Sequence, residues 1–363
     1  MIKIFSPQII ETTTGARLQA EFEVDGNKDI LWYEVEKKYA EYLTNERADP
    51  FVVGLLWYAL KHQHDIQVLS PMSERLYYTI NKYLAPLMAE IRGYKTIRLF
   101  CEALTSEPIP NANAVGTGLS CGIDSLSTIC EHMKEDVPRG YKITHFTFFN
   151  VGSHKDFGGK AAFDVFKKRA KIVKSCADEL GKELVTVDSN LSDFLQMGFA
   201  LTHTQRTISA VLALQKLFKI YYQSSAIHVQ DFKLSKKDPA YYDIFNLNML
   251  STENTDLFSS CTNYTRVDKT RMVAEFEPSY KYLNVCEMGV FNCGKCSKCL
   301  RTLLTLEVIG SLNKYKSIFN VKAYREKRSK YIARVKANHK KNIFFREIYD
   351  EMLRTKFLKQ SRK

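Results

Sequence analysis

The stretch AVGTGLSCGIDSLSTICEHM, residues 114–133, decides how this chain folds. Its first seven residues are small or apolar and read as a buried strand, whereas SLSTICEHM from Ser125 onward reads as a helix. Between them, Ser120-Cys121-Gly122-Ile123-Asp124-Ser125 turns the strand into the helix. Such a turn aims free backbone N–H groups and the positive end of a helix dipole at one point, which suits an anion. Gly122 permits close backbone approach, and Ser120 and Ser125 offer hydroxyl donors. Asp124 is an unusual neighbour for phosphate. Its carboxylate is expected to orient the loop or to help hold Mg²⁺, a cation that prefers oxygen ligands.

Downstream, KITHFTFFNV (142–151) reads as a second strand, AAFDVFKKRAKIVKSCADELG (161–181) as a helix closed by Gly181, and ELVTVDSN (183–190) as a third strand. Strands alternating with helices of this length imply right-handed crossovers and a parallel sheet, hence an α/β fold. THTQRTISAVLALQKLF (202–218) follows as a helix, then a less regular region to about residue 275. Upstream, ILWYEVE (30–36) alternates like a strand, and Asp49-Pro50 supplies an N-cap and first-turn proline for FVVGLLWYALKH. DIQVLS reads as a strand, and Ser73 caps a helix carrying Leu76, Ile80, Leu84 and Leu87, kinked near its end by Pro86. TIRLFCEAL is a further strand. The expected organisation is an N-terminal α/β domain over 1–110 with no recognisable chemistry, a linker near SEPIPNANAV, a nucleotide-type domain over 111–310 and a tail over 311–363.

With 363 residues, 45% of them hydrophobic and 12% aromatic, the chain has ample material for two or three packed cores. No apolar run is long enough to span a bilayer, and MIKIFSPQIIETTTG lacks the sectors of a signal peptide, so a cytoplasmic protein with no membrane partner is expected. The tail holds 17 Lys and Arg against 4 Asp and Glu, which accounts for the whole net charge of +13. That excess reads either as a solvated helical appendage, dispensable for nucleotide binding, or as a contact for RNA.

Nine cysteines are an odd number, and four of them crowd into one short segment. Cys286, Cys293, Cys296 and Cys299 give C-x6-C-x2-C-x2-C, with Gly294 allowing a tight knuckle. Four thiolates at this spacing suit tetrahedral Zn²⁺ in a closed structural site. A ferredoxin-type cluster would want a Cys-Pro beyond Cys299, where the chain reads Leu300-Arg301-Thr302-Leu303. Unliganded core cysteines are the plainer alternative, opposed by polar flanks at Asn292, Lys295, Ser297 and Lys298. Gly116-x-Gly118-x-x-Cys121 also approaches a dinucleotide fingerprint, but the third glycine and the acidic residue after the second strand are absent. A capped helix with no ligand is the other plain reading of the loop.

The loop resembles the SGGxDS signature of PP-loop ATP pyrophosphatases, with Cys121 where the family has its first glycine. The segment NCGKCSKCLRT (292–302) resembles the CGxCxxCxxR motif of the 7-cyano-7-deazaguanine synthase branch, Arg301 matching its arginine. The two motifs also fall in that branch's order. The resemblance covers about residues 111–310 and implies a HUP-like, Rossmann-like parallel sheet, ATP with Mg²⁺, and a structural Zn²⁺. It further implies release of AMP and pyrophosphate as a substrate carboxylate or carbonyl oxygen is adenylated, followed by attack of a nitrogen nucleophile, so a C–N bond-forming ligase. Residues 120–125 would hold the phosphates, with Asp124 and Ser125 catalytic and adenine near Phe149 to Gly152. Lys269, in Arg266-Val-Asp-Lys-Thr270, would steady the phosphates, or else lie in a solvated helix start capped by Asp268. Arg206 is a candidate phosphate or substrate contact, or else a surface arginine on an amphipathic helix. His154 and His203 read as satisfied loop or core histidines. A small-molecule or modified-base substrate and a homo-oligomer are compatible with this. Two alternatives remain: tRNA base thiolation with the tail holding RNA, and a non-catalytic nucleotide-binding sensor or assembly subunit.

Overall fold

The structure, a computed structural model, describes residues 1–360 and is a mixed α/β molecule built on one large, mostly parallel sheet. Its strands are β1 (Ile2–Ile4), β2 (Gln8–Glu11), β3 (Gly15–Val24), β4 (Asn27–Glu36), β5 (Ile66–Val68), β6 (Met72–Ser73), β7 (Leu99–Cys101), β8 (Leu104–Thr105), β9 (Ala114–Gly118), β10 (His145–Asn150), β11 (Glu183–Ser189), β12 (Phe218–Ser224) and β13 (Asp256–Ser260). The main sheet runs β13-β12-β9-β10-β11-β4-β3-β1-β5-β7, with β2 on β3, and β6 pairs with β8 apart from it.

The five strands from β9 onward pair only in parallel with one another. From β9 the chain goes outward through β10 and β11, then returns to the other side of β9 for β12 and β13. The order therefore reverses at β9, and crevices at such reversals, outside the carboxyl ends of the strands, are where open α/β sheets bind ligands. The loop after β9 sits there.

The segment expected as a separate N-terminal domain continues the same sheet. β11 pairs antiparallel with β4, Val187 opposite Val35, while Ser189 Oγ donates to Trp32 O at 2.6 Å and Trp32 N donates to Asn190 Oδ1 at 3.0 Å. One hydrophobic cluster spans both parts, from Ile2 and Leu18 to Val187, Val211 and Leu250. Helix Asp49–His62 packs on helix Phe199–Leu212, where Trp57 Nε1 donates to Gln205 Oε1 at 2.8 Å. Asp49 lies inside the first turn with Ala48 as N-cap, and its carboxylate accepts from Ser73 N and Gln215 Nε2, both at 2.9 Å. Ser73 does cap its helix, accepting from Leu76 N at 3.0 Å. Pro86 marks an irregularity inside that helix and not near its end: a π-turn over Ile80–Leu84 precedes it, and the helix resumes as Ala85–Arg92. The turn also shifts the buried position from Leu87 to Met88.

The tail is helical over Val321–Asn338, Ile343–Arg354 and Phe357–Gln360. It is not a solvated appendage. Tyr324, Val335, Ile348 and Met352 are fully buried in the cluster that also holds Cys121, Ile123 and Leu303 beneath the loop. Residues 361–363, the end of the expected tail, lie outside the described residues.

Candidate functional site

Leu119 N donates to Thr147 O at 2.9 Å, tying the loop after β9 to β10. Cys121 then adopts a left-handed backbone, φ +58°, so the position where the resemblance calls for glycine keeps a glycine's conformation. Its carbonyl accepts from Asn284 N at 2.8 Å, and its thiol lies in the core beside Cys176. The hydrogen bond with Cys176 and burial raise the Cys121 thiol well above the ordinary range, so it carries no nucleophilic charge at neutral pH.

Gly122 is the N-cap of helix Ile123–His132, which has no side-chain cap, so the first-turn N–H groups have no side-chain acceptor. Ser120 Oγ accepts from Gly122 N at 3.3 Å and lies 3.2 Å from Ser125 Oγ, which donates to Gly122 O at 3.1 Å. Ser120 is exposed and Ser125 buried. The two hydroxyls lie together beside the bare helix start.

Asp124, expected to orient the loop or to help hold Mg²⁺, reaches a distant helix. Its Oδ2 pairs with an Arg266 terminal nitrogen at 2.9 Å, and its Oδ1 is buried without a hydrogen bond. Arg266 begins helix Arg266–Ala274, whose start is fixed by a reciprocal cap between Thr265 and Asp268. One turn on, Lys269 is fully buried and Nζ donates to Ser225 O at 2.7 Å, so it is not part of a solvated helix start. Burial lowers its pKa and Asp124 opposes the shift. Arg301 comes from helix Ser297–Val308, and burial, then Arg266, push it down to about 10. Its guanidinium carbon lies 4.2 Å from the Phe344 ring centroid, with that of Arg266 at 5.2 Å from the same ring. Sequence reasoning passed over Arg266 and the tail residue Phe344, because nothing local shows that three distant segments meet.

A cleft of about 70 Å³ opens beside the loop among Ser120, Cys121, Phe148, His154, Arg169 and Asn284. Arg169 donates to Cys286 O at 2.9 Å and Gly289 O at 2.8 Å, tying helix Lys160–Glu179 to the cysteine segment. Burial, then Arg169, hold His154 down at about 4, so it is neutral.

Two expected contacts lie elsewhere. Phe149 points to the opposite face of the sheet, beside Tyr221, and its neighbour Phe148 faces the cleft. Arg206 is wholly buried and committed: Nε donates to Thr202 Oγ1, and the terminal nitrogens donate to Ser192 Oγ and to the carbonyls of Val151, Asp156 and Met197, at 2.6–3.2 Å. It is a strut for the loop after β10. Gly152 there has φ +120°, and a Cβ would come 2.4 Å from Arg206. Gly116 and Gly118 lie within β9, and a Cβ on Gly116 would strike the Phe218 ring at 2.6 Å. These glycines answer to aromatic packing, and no dinucleotide turn is formed.

Cys286, Cys293, Cys296 and Cys299 bring their Sγ atoms within 4.8 Å of one another, Cys293 to Cys299 at 4.0 Å. Tetrahedral bonds of about 2.3 Å to zinc set sulfurs about 3.8 Å apart, so the cluster is able to hold such an ion. Gly294 (φ +70°) makes the knuckle, and Cys296 N donates to Cys293 Sγ at 3.3 Å. Burial raises the pKa of Cys296 and Cys299, so a metal ion must displace protons there.

Comparison with protein-family models, curated proteins and solved structures returns no match.

Proposed function

We propose that this chain is an ATP-dependent enzyme of the PP-loop type, activating a substrate carboxylate or carbonyl oxygen by adenylation, with a nitrogen nucleophile then displacing AMP. The carrying observation is the meeting, at the sheet's reversal point, of the bare helix start at Gly122 with Asp124, Arg266, Lys269 and Arg301. Ser120, Ser125 and the first-turn N–H groups would hold the pyrophosphate end, while the three cations offset the charge that builds on it as the α-phosphate bond breaks. The free Oδ1 of Asp124 fits Mg²⁺, which when bound neutralises phosphate charge. The four thiolates fit Zn²⁺ in a structural role. The Asn284 and Arg169 contacts carry the rigidity of that cluster to the loop and the cleft.

The test is titration of MgATP into the full chain, followed by assay of labelled ATP for AMP and pyrophosphate with ammonium and panels of carboxylic acids. Saturable binding that Ser125→Ala weakens is expected. A wild-type protein that binds neither MgATP nor pyrophosphate would refute the proposal.

One observation favours the RNA-modification variant of this chemistry. Helix Val321–Asn338 exposes Lys322, Arg325, Lys330 and Lys336, none of which makes an ion pair among the described residues. Binding of tRNA with a steep salt dependence that flattens on Lys-to-Gln substitution of this stripe would select it.

A further inference from the structure

Around Asp124 several polar groups end without a partner among the described residues. Asp124 Oδ1 and Arg266 Nε are buried and make no hydrogen bond, and neither does the hydroxyl of Tyr331, a side chain only 4% exposed. The Arg301 guanidinium lies over Phe344 and makes no hydrogen bond among the described residues. Buried donors and acceptors are satisfied almost everywhere in folded proteins, so several gathered in one place call for an explanation. These come from separate helices, Ile123–His132, Arg266–Ala274, Ser297–Val308 and Val321–Asn338. The Tyr331 hydroxyl is buried, and Arg301, Arg334 and Cys296 are the ionisable groups that act on it. The unsatisfied donors, Arg266, Arg301 and Tyr331, call for a ligand rich in acceptor oxygens and negative charge.

The tail holds this arrangement in place. Phe344 opens helix Ile343–Arg354 and presents its ring to both arginines. One turn on, the buried Glu347 accepts from Arg266 N at 2.7 Å, and Glu351 pairs with Arg271 at 2.9 Å. Arg266 and Arg301 repel one another, and Asp124 together with the ring of Phe344 offsets that repulsion.

We infer that the C-terminal segment supplies the outer wall of a pyrophosphate-binding site. Phe344 is a positioning residue that holds Arg266 and Arg301 toward the loop at 120–125, and the Tyr331 hydroxyl donates to the same anion. This rests on the nucleotide reading above and adds to it a part that the loop motif does not contain.

The experiment is calorimetric titration of inorganic pyrophosphate, and separately MgATP, into the full chain and its variants. Phe344→Leu keeps apolar cover but removes the ring face, and it is expected to weaken pyrophosphate binding about tenfold, the scale of a partly desolvated cation–π contact. Phe344→Trp, with the stronger ring face, restores it. Tyr331→Phe removes one oxygen, weakens pyrophosphate binding severalfold and leaves the melting temperature unchanged or higher, because an unsatisfied hydroxyl is gone. If Phe344→Leu and Tyr331→Phe bind like wild type while Ser125→Ala does not, the wall is refuted and the nucleotide reading stands. If wild type binds neither probe, both fall. Should Phe344→Leu fail to fold, Tyr331→Phe decides alone.

Discussion

Cys121 shows how far a single residue can be read from a motif. The loop chemistry is local, so Ser120, Gly122 and Ser125 could be picked out from spacing, and position 121 keeps the left-handed backbone although its side chain is not glycine. Cys121→Gly relieves about 1 kcal/mol of backbone strain and loses a buried thiol, so MgATP affinity is expected to hold or rise with little change in melting. Lost affinity in that variant would assign the thiol a chemical part. Asp124→Asn and Ser125→Ala are expected to cut any pyrophosphate release by about 10²-fold or more while the fold persists, which a melting curve run beside the assay will separate. Phe149 and Arg206 were misread for physical reasons. Alternation along a strand separates Phe148 from Phe149 but does not say which face is wet, and an arginine on an amphipathic helix gives no sign that five oxygens await it. His154 offers a titration test. Its folded pKa of about 4 lies below the ordinary 6.5, so the unfolded chain takes a proton first as pH falls. Stability is therefore full above about pH 6.5 and declines toward pH 4, by on the order of 3 kcal/mol, against the unfavourable burial beside Arg169 and the aromatic rings of Phe148 and Phe166. Denaturant midpoints of His154→Phe across that window should lose that part of the slope.

At the scale of elements, periodicity found most helices and strands, and missed those where length or composition hid them. The β3–β4 hairpin turns at Asp25-Gly26, both at positive φ, an Asp-Gly signal that lies just upstream of the alternating stretch at 30–36. β12, rich in tyrosine, and β13, only five residues long, both fall in the stretch that reads as less regular. The tail was judged by its charge count, which conceals the spacing of Phe345, Ile348 and Met352 along one buried stripe. Because that stripe covers the core beneath the loop, Ile348→Ala should cost about 2–5 kcal/mol in denaturant unfolding. A chain ending at Gly310 should aggregate or melt far below the full chain. A truncated protein that stays soluble and binds MgATP normally would restore the appendage reading.

The whole molecule could be recognised as α/β from residues 114–190, but its unity could not. A composition shift near residue 110 looks like a linker, whereas the pairing of β11 with β4 is a non-local fact that no window of sequence contains. Residues 1–110 and 111–363 expressed separately should each be poorly folded, and co-expression should recover a single cooperative transition. Two independent transitions from the separated pieces would contradict this. The cysteine cluster sits against the tail at Gly294, whose Cβ position is 2.3 Å from Asn320 O, so metal loss should propagate. Cys296→Ser is expected to lower metal content and melting temperature together, and elemental analysis that finds iron, or a metal-free protein that melts normally, would count against a structural zinc.

The seam between β4 and β11 also sets a schedule for biosynthesis. Trp32 waits for Asn190, 158 residues later in the chain. At about 5–20 residues per second, the ribosome leaves the outer edge of the β3–β4 hairpin without its neighbour for roughly 8 to 30 seconds. During that interval Leu31, Tyr33 and Val35 have no finished core, and an open strand edge invites pairing with other nascent chains. Glu34 and Glu36 lie on the same strand beside the paired positions, and with Lys28 and Asp29 they are the charges that strand itself carries against such pairing. Yield in a cell should therefore depend on chaperone supply and translation speed more than the finished molecule's stability would suggest.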